Sequence, residues 1–170
     1  MIHLDAAYNL ARWLINDEAT AEDAVQEACI RAQRFFHSQS GPNPKAWFMA
    51  VVRNACMDEL RDRKQQRIDD SYDEHAHGHL HNHVLGSSDE QHSPERLAMQ
   101  QSDARWVQAA IAKLPIEYRE VIILRELEDM SYKEISAIVN VPMGTVMSRL
   151  ARGRDQLAVL LDTGQRKAQP

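Results

Sequence analysis

Residues 131–157, SYKEISAIVNVPMGTVMSRLARGRDQL, carry the clearest structural signal in this 170-residue chain. Ser131 and Glu134 have the S-x-x-E spacing of a capping box, in which each residue satisfies free backbone N–H groups at a helix start. Apolar residues then recur at three- and four-residue intervals, as expected for the inner face of a helix: Ile135, Ile138 and Val139. The following Asn-Val-Pro, residues 140–142, predicts a short turn.

A second helix is predicted after this turn, from about Gly144 to Leu161. Its inner side would carry Val146, Leu150, Leu157 and Leu160. The outer side would present Thr145, Met147, Ser148, Ala151 and Arg152, with Arg149 and Arg154 adding two further guanidinium groups. Hydroxyl groups near a helix N-terminus can donate to phosphate oxygens, and arginine can hold a phosphate or read guanine. Solvated surface arginines would explain the charges alone, but the capped helix and tight turn favour a DNA-binding helix-turn-helix.

Residues 4–64 are predicted to form a separate helical module. The run TAEDAVQEACIRAQRFF opens with Thr20 as the predicted N-cap and has one apolar face. The segment SQSGPNP, residues 38–44, contains glycine and two prolines and predicts a break. A second helix is predicted from about Lys45 to Lys64. Its aromatic residues, Trp47 and Phe48, stand among basic groups that could suit single-stranded nucleic acid, but core positions are the preferred interpretation.

Residues 65–96 have no sustained periodicity and are rich in His, Asp, Ser and Gly. Such a composition buries too little apolar area to offset the entropy of ordering, so a flexible linker is predicted. The linker carries seven acids and two bases. It therefore accounts for the net charge of −5, because the segments before and after it contribute −1 and +1.

The linker contains HAHGHLHNH, with histidines at alternate positions. Alternate side chains of an extended chain lie on one side, and imidazole suits Zn, Ni and Cu. A metal-responsive DNA-binding regulator is therefore an alternative function, with weak candidate ligands at His75, His77, His79, His81 and His83. No cysteine accompanies them and the flanks are predicted to be flexible, so only weak, adventitious metal binding is expected.

Several other classes of protein are disfavoured by the sequence. No phosphate-binding loop, H-E-x-x-H motif or nucleophile elbow is present, so neither an enzyme nor a cofactor is expected. No apolar run approaches the length of a membrane span and no secretory signal is visible. Cys29 and Cys56 lie in apolar helical patterns, which fits reduced thiols in the cytoplasm. An ordinary helix-turn-helix repressor would explain residues 97–161 but would leave residues 4–64 without a role.

Three stretches, in this order, resemble the bacterial RNA polymerase sigma factors of the extracytoplasmic-function (ECF) group of the sigma-70 family. TAEDAVQEACIRA is similar to region 2.2, and PNPKAWFMAVVRNACMDELRDRK resembles regions 2.3 and 2.4. LPIEYREVIILRELEDMSYKEISAIVNVPMGTVMSRLARGRDQL is similar to region 4, with its GTVxSRLxRxR helix the most specific match. The resemblance implies an all-α fold of two small helical domains: region 2 in residues 1–64 and region 4 in residues 97–161, with the linker 65–96 between them and a disordered tail, 162–170.

The resemblance also implies partners for the first domain. Region 2.2 would bind the β′ clamp helices of core RNA polymerase through Glu22, Asp23, Gln26 and Glu27. The loop and helix that follow would capture the melted −10 element of promoter DNA through Ser40, Asn43, Lys45, Arg53, Asn54, Asp58 and Arg61. A flipped base held in a pocket would offset the cost of unstacking, so melting needs no ATP.

The second domain would bind the polymerase β flap and insert its last helix into the −35 duplex. The residues nominated for that contact are Thr145, Met147, Ser148, Arg149, Ala151 and Arg152. Met147 and Ala151 can make only apolar contacts, such as with a thymine methyl group. The family further implies a cytoplasmic protein without membrane insertion, held inactive by an anti-sigma factor.

Overall fold

The computed structural model describes residues 3–35, 43–70 and 106–168, and in these ranges the regular structure is entirely helical. The all-α expectation is therefore confirmed. The elements are α1 (Leu4–Ile15), α2 (Glu18–Phe35), α3 (Pro44–Asp70), α4 (residues 106–112), α5 (Ile116–Ile122), a π-helical turn (Ile123–Leu127), α6 (Tyr132–Val139) and α7 (Met143–Ala168). The linker histidines lie outside the described residues.

Helices α1, α2 and α3 pack on one another to form the first module. Helix α2 begins earlier than predicted, because its cap is Asp17 and not Thr20. The Asp17 carboxylate accepts hydrogen bonds from the backbone N–H and the hydroxyl of Thr20, and the first of these measures 3.1 Å. Arg63 of α3 also reaches Asp17, at 3.2 Å. A carboxylate that accepts from the third residue of a helix is the ordinary N-cap arrangement.

Helix α3 begins where the sequence predicts and ends later. Asn43 caps it by accepting a 3.0 Å hydrogen bond from the backbone N–H of Ala46, and Pro44 occupies the first helical position. The helix then continues to Asp70, past the predicted end at Lys64. Residues 65–70, QQRIDD, lack an apolar period. They contain no glycine or proline, so nothing local stops the helix.

Helices α5, α6 and α7 form the second module, and its local signals behave as predicted. Ser131 and Glu134 form the capping box, with the Ser131 N–H 2.7 Å from the Glu134 carboxylate. Asn140 ends α6 in the left-handed conformation, with φ 55°, which asparagine tolerates well. The predicted inner face of α6 is buried. Helix α7 extends to Ala168, beyond the predicted end at Leu161 and through the segment predicted as a disordered tail.

The two modules share one hydrophobic core. Helix α3 packs against α6, and α1 packs against α5 and the π-helical turn. Phe48 is buried and Trp47 is half-buried against the core, which confirms the core interpretation of both aromatic residues. Arg119 of α5 reinforces this contact by donating a 3.1 Å hydrogen bond to the carbonyl oxygen of Leu14, near the C-terminus of α1. A cation is favourable there because free carbonyl groups accumulate at that end of a helix.

Candidate nucleic-acid interface

The outer face of α7 is exposed as the helix-turn-helix pattern predicts. Val146 and Leu150 are fully buried, and they fix the rotation of the helix about its axis. Four of the residues nominated for duplex DNA consequently face solvent, and Thr145 is half-buried beside them: Met147, Ser148, Ala151 and Arg152. The Ser148 hydroxyl donates to the Thr145 carbonyl at 3.0 Å, so this hydroxyl is held close to the helix.

Arg149 and Arg154 of α7 are directed at carboxylates of the same module. Arg149 donates from Nη1 to Glu120 Oε1 at 3.2 Å, and its side chain is 25% exposed. Arg154 donates from Nε to Glu126 Oε1 at 3.0 Å. The sequence placed Arg152 on the outer side and also nominated Arg149 for DNA contact. Of these two, only Arg152 lies on the exposed face with the nominated polar and apolar residues.

Three residues nominated for the −10 element are half-buried and hydrogen-bond to the second module. Asn43 donates from Nδ2 to the Glu134 carboxylate at 2.6 Å. Lys45 donates from Nζ to the carbonyl oxygen of Glu128 at 3.3 Å. Arg53 donates from Nε to Glu120 Oε2 at 2.9 Å. In this arrangement all three donors are therefore paired with acceptors of the second module.

The remaining −10 nominees lie farther along α3. Asp58 pairs with Arg31 of α2 at 3.1 Å and with Arg61 at 3.2 Å, and the Arg61 side chain is 74% exposed. Asn54 is exposed and accepts a long 3.5 Å hydrogen bond from Arg53. These residues form an accessible polar strip on α3, whereas Ser40 lies outside the described residues.

Glu120 is the residue at this interface that the sequence reasoning missed. It lies on the inner side of α5, is 1% exposed, and receives both Arg53 and Arg149 on its two carboxylate oxygens. Burial raises its pKa, and the two arginines act in the opposite direction. The sequence does contain a signal for Glu120. In the run IEYREVIILREL it directly precedes four apolar residues, and a charge buried among apolar side chains requires a partner.

The acidic face predicted on α2 is exposed, as its proposed docking role requires. All four nominees face solvent: Glu22, Asp23, Gln26 and Glu27. Glu22 and Gln26 border a surface groove of about 280 Å³ between α1 and α2, whose other walls include Leu4, Tyr8 and Val25. The Glu27 carboxylate forms a 2.9 Å ion pair with Arg31 on the same helix. The groove therefore combines apolar walls with an acidic rim.

Residues suited to metal binding are not clustered in the ranges that the structure describes. Cys29 and Cys56 are both free thiols, as expected, and burial raises the pKa of Cys56 to about 12. No helix within those ranges is long and apolar enough to cross a membrane.

Both modules match models of known protein families. Residues 1–66 match "Sigma-70 region 2" and residues 104–157 match "Sigma-70, region 4". The fold and the helix-turn-helix thus define a transcription initiation factor of the sigma-70 type, whose first module is the region 2 module and whose second is the region 4 module.

Individual relatives define the group. The chain is 30% identical over 158 residues to the ECF RNA polymerase sigma factor SigW of Bacillus subtilis, covering 92% of this chain and 83% of SigW. It is 32% identical to the ECF RNA polymerase sigma factor SigE of Mycolicibacterium smegmatis, covering 91% of this chain but 57% of SigE. Among solved structures, the sigma factor RpoE of Bartonella quintana, crystallised with the anti-sigma factor NepR, matches with a TM-score of 0.75 and 28% identity. That match covers 95% of this chain and 92% of RpoE.

The chain therefore belongs to the ECF RNA polymerase sigma factors. Members of this family bind core RNA polymerase and promoter DNA, and they direct promoter-specific initiation of transcription.

Proposed function

We propose that this chain reads two promoter elements, one with each module, while core RNA polymerase holds the modules in place. The exposed outer face of α7 is the single observation that carries the −35 half of the proposal. Buried Val146 and Leu150 fix the helix so that Ser148, Ala151 and Arg152 face outward together. A helix presented in this way fits the major groove, where arginine reads guanine and small apolar groups contact thymine methyls.

The test is reconstitution with core polymerase followed by run-off transcription from templates with a randomised −35 element. Arg152→Ala is expected to relax the preference at one or two base positions and to lower the yield, since a bidentate base contact contributes about 1–3 kcal/mol of discrimination. Lys113→Ala removes an exposed positive charge outside α7 and serves as the matched control. An unchanged base preference in Arg152→Ala would argue against readout by this face.

For the −10 element, we propose that α3 receives the melted strand along its polar strip. Arg61 and Asn54 are accessible at the outset, and Lys45, Arg53 and Asn43 join them when the modules separate. The loop that includes Ser40 would take the flipped base. In a promoter with a pre-melted −10 bubble, Arg61→Ala should still lower strand affinity, because a phosphate contact is lost whether or not melting is required.

For core polymerase, we propose that the acidic face of α2 docks on the β′ clamp helices and that the region 4 module contacts the β flap. The acidic rim beside an apolar groove supports a basic amphipathic partner helix on α2. Asp23→Lys is expected to weaken binding of labelled protein to core polymerase in the absence of DNA. Asp62→Lys reverses an exposed charge on α3 and serves as the matched control. Equal binding by the two variants would remove α2 from the interface.

We further propose that an anti-sigma factor regulates this chain in the bacterial cytoplasm, where polymerase and chromosome are found. The sigma factor RpoE, whose structure matches 95% of this chain, was crystallised with such a factor. Copurification of a tagged chain from its own cells, with and without envelope stress, would identify the partner, and recovery of polymerase alone under both conditions would contradict the proposal.

A further inference from the structure

The exposed side of α7 carries an apolar row formed by Met143, Met147 and Ala151. The two methionines are 51% and 52% exposed, and Ala151 is exposed in line with them. These residues are four positions apart, so they lie one above the other on one side of the helix. Met143 joins the row because α7 begins one residue earlier than the sequence predicted. An apolar row of this kind, unlike a single exposed methionine, marks a surface that a ligand covers.

A polar row runs beside the apolar row at the same spacing, and all its members are exposed: Gly144, Ser148 and Arg152. No heavy atom lies within 4 Å of the position that a Gly144 Cβ would take, so the first turn of α7 is open to close approach. Arg152 is the one charged residue in the two rows. The face therefore suits a ligand that presents methyl groups next to a hydrogen-bond acceptor or an anion.

The major groove of duplex DNA presents that combination. Thymine displays its C5-methyl group there, beside the acceptors of neighbouring bases. At a rise of about 1.5 Å per residue, Met143 and Met147 are about 6 Å apart along the helix. Two base-pair steps of about 3.4 Å cover a similar distance. The methionine side chain is flexible and polarisable, so it can pack on a methyl group of either strand.

We propose that Met143 and Met147 make this chain selective for T·A base pairs in the −35 element by packing on thymine C5-methyl groups, with Ala151 continuing the same apolar surface. This inference rests on the proposed −35 contact of α7, and it names the chemical group that the helix reads. Base preference under the two methionines then comes from methyl burial, whereas Arg152 supplies the polar contact beside them. The selected T·A pairs are expected within about two base-pair steps of each other.

Replacement of thymine by uracil tests the proposal directly, because uracil pairs with adenine in the same way but lacks the methyl group. The full chain is reconstituted with core polymerase, and −35 sequences are selected by run-off transcription from a randomised template. The selected template is then rebuilt with deoxyuridine in place of thymidine within the −35 element. We expect run-off at limiting holoenzyme to fall about fourfold for each contacted methyl group, the factor that corresponds to burying one methyl.

Variants of the apolar row connect this effect to its residues. Met143→Ala/Met147→Ala is expected to give equal run-off from the thymine and uracil templates and to lose the enrichment of T·A pairs. Val159→Ala removes a 65% exposed apolar side chain farther along α7 and serves as the matched control. It should keep the full preference for thymine over uracil. Circular dichroism at 222 nm checks that each variant retains its helical content, as expected for substitutions at exposed positions.

The outcomes separate this inference from the function on which it rests. Equal run-off from the two templates with the unmodified chain would overturn the inference, as would a selected −35 element without T·A pairs. A methyl preference that survives in the double methionine variant would also overturn it. An equal loss of run-off from both templates in that variant would assign the apolar row to a protein partner instead. If the unmodified chain selects no −35 sequence at all, the proposed −35 contact itself is rejected.

Discussion

Gly153 lies where α7 crosses α5, and a methyl group has no room there. A Cβ atom added to Gly153 would lie 2.8 Å from Ile122 Cδ1 and 3.2 Å from Tyr118 Cβ. The Ile122 methyl group can rotate away, but Tyr118 Cβ is attached directly to the α5 backbone, so α7 itself would have to shift. Gly144, in the first turn of the same helix, has no heavy atom within 4 Å of the equivalent position. The two glycines therefore form a matched pair for one substitution.

The expected difference in stability follows from two opposing contributions. Alanine in place of glycine gains about 1 kcal/mol of helix propensity. Overpacking a filled contact costs about 1–3 kcal/mol. Gly153→Ala should thus lower the free energy of unfolding by up to about 2 kcal/mol, whereas Gly144→Ala should leave it unchanged or raise it. A difference of about 2 kcal/mol corresponds to roughly 4–8 °C in melting temperature for a chain of this size.

Thermal and urea unfolding of both variants, followed by circular dichroism at 222 nm, measures this difference. We expect a lower melting temperature and a lower urea midpoint for Gly153→Ala than for Gly144→Ala. If Gly153→Ala proves as stable as Gly144→Ala, the α5–α7 crossing does not depend on the missing side chain. The reasoning that Gly153 permits the close approach of α7 to α5 would then be refuted.

Three further outcomes are expected. Ser131→Ala should lower the free energy of unfolding by about 1 kcal/mol, measured by urea unfolding, because the capping box with Glu134 is lost; no change would contradict the capping role. Because burial raises its pKa to about 12, the Cys56 thiol should be alkylated at pH 8 far more slowly in the native chain than in urea, by peptide mass spectrometry; equal rates would place it in solvent. Hydrogen bonds from Thr20 lower the pKa of Asp17, so its stabilising effect is present above about pH 3.9 and is lost as the pH falls below that value. The destabilisation caused by Asp17→Ala should therefore shrink in acid, and a pH-independent loss would rule out the carboxylate as its source.

The helix-turn-helix could be predicted from sequence because each of its signals is local. The capping pair is three residues apart, the turn residue Asn140 adopts the left-handed conformation that asparagine tolerates, and Val146 and Leu150 mark the buried side. The exposed face of α7 follows from that periodicity alone. Arg149 shows the limit of such reasoning, since its partner lies 29 positions away on another helix.

Long-range partners account for what the sequence did not predict. Asp17 and Thr20 are both good capping residues, three positions apart, and local rules do not choose between them. The distant Arg63 also binds Asp17, which favours that residue as the cap. The buried carboxylate of Glu120 was recognisable as an anomaly, but nothing near it in the sequence names its partners. The contact between the two modules likewise depends on α3 and α6 together, and neither helix predicts it alone.

The π-helical turn at Ile123–Leu127 has a consequence for how this sequence can vary. A turn closed by hydrogen bonds between residues five apart holds one more residue than an α turn, as seen where the Glu128 N–H donates to the Ile123 carbonyl at 3.1 Å. Deleting one residue here would restore α geometry and leave the flanking residues close to their present positions, because the π turn already absorbs that extra residue. Deleting a residue from the α-helical part of α5 would instead rotate everything after it by about 100° and carry buried Met130 out of its site. A change of one residue in length is therefore tolerated in the π turn, which includes exposed Leu127, and not in the helical turns beside it.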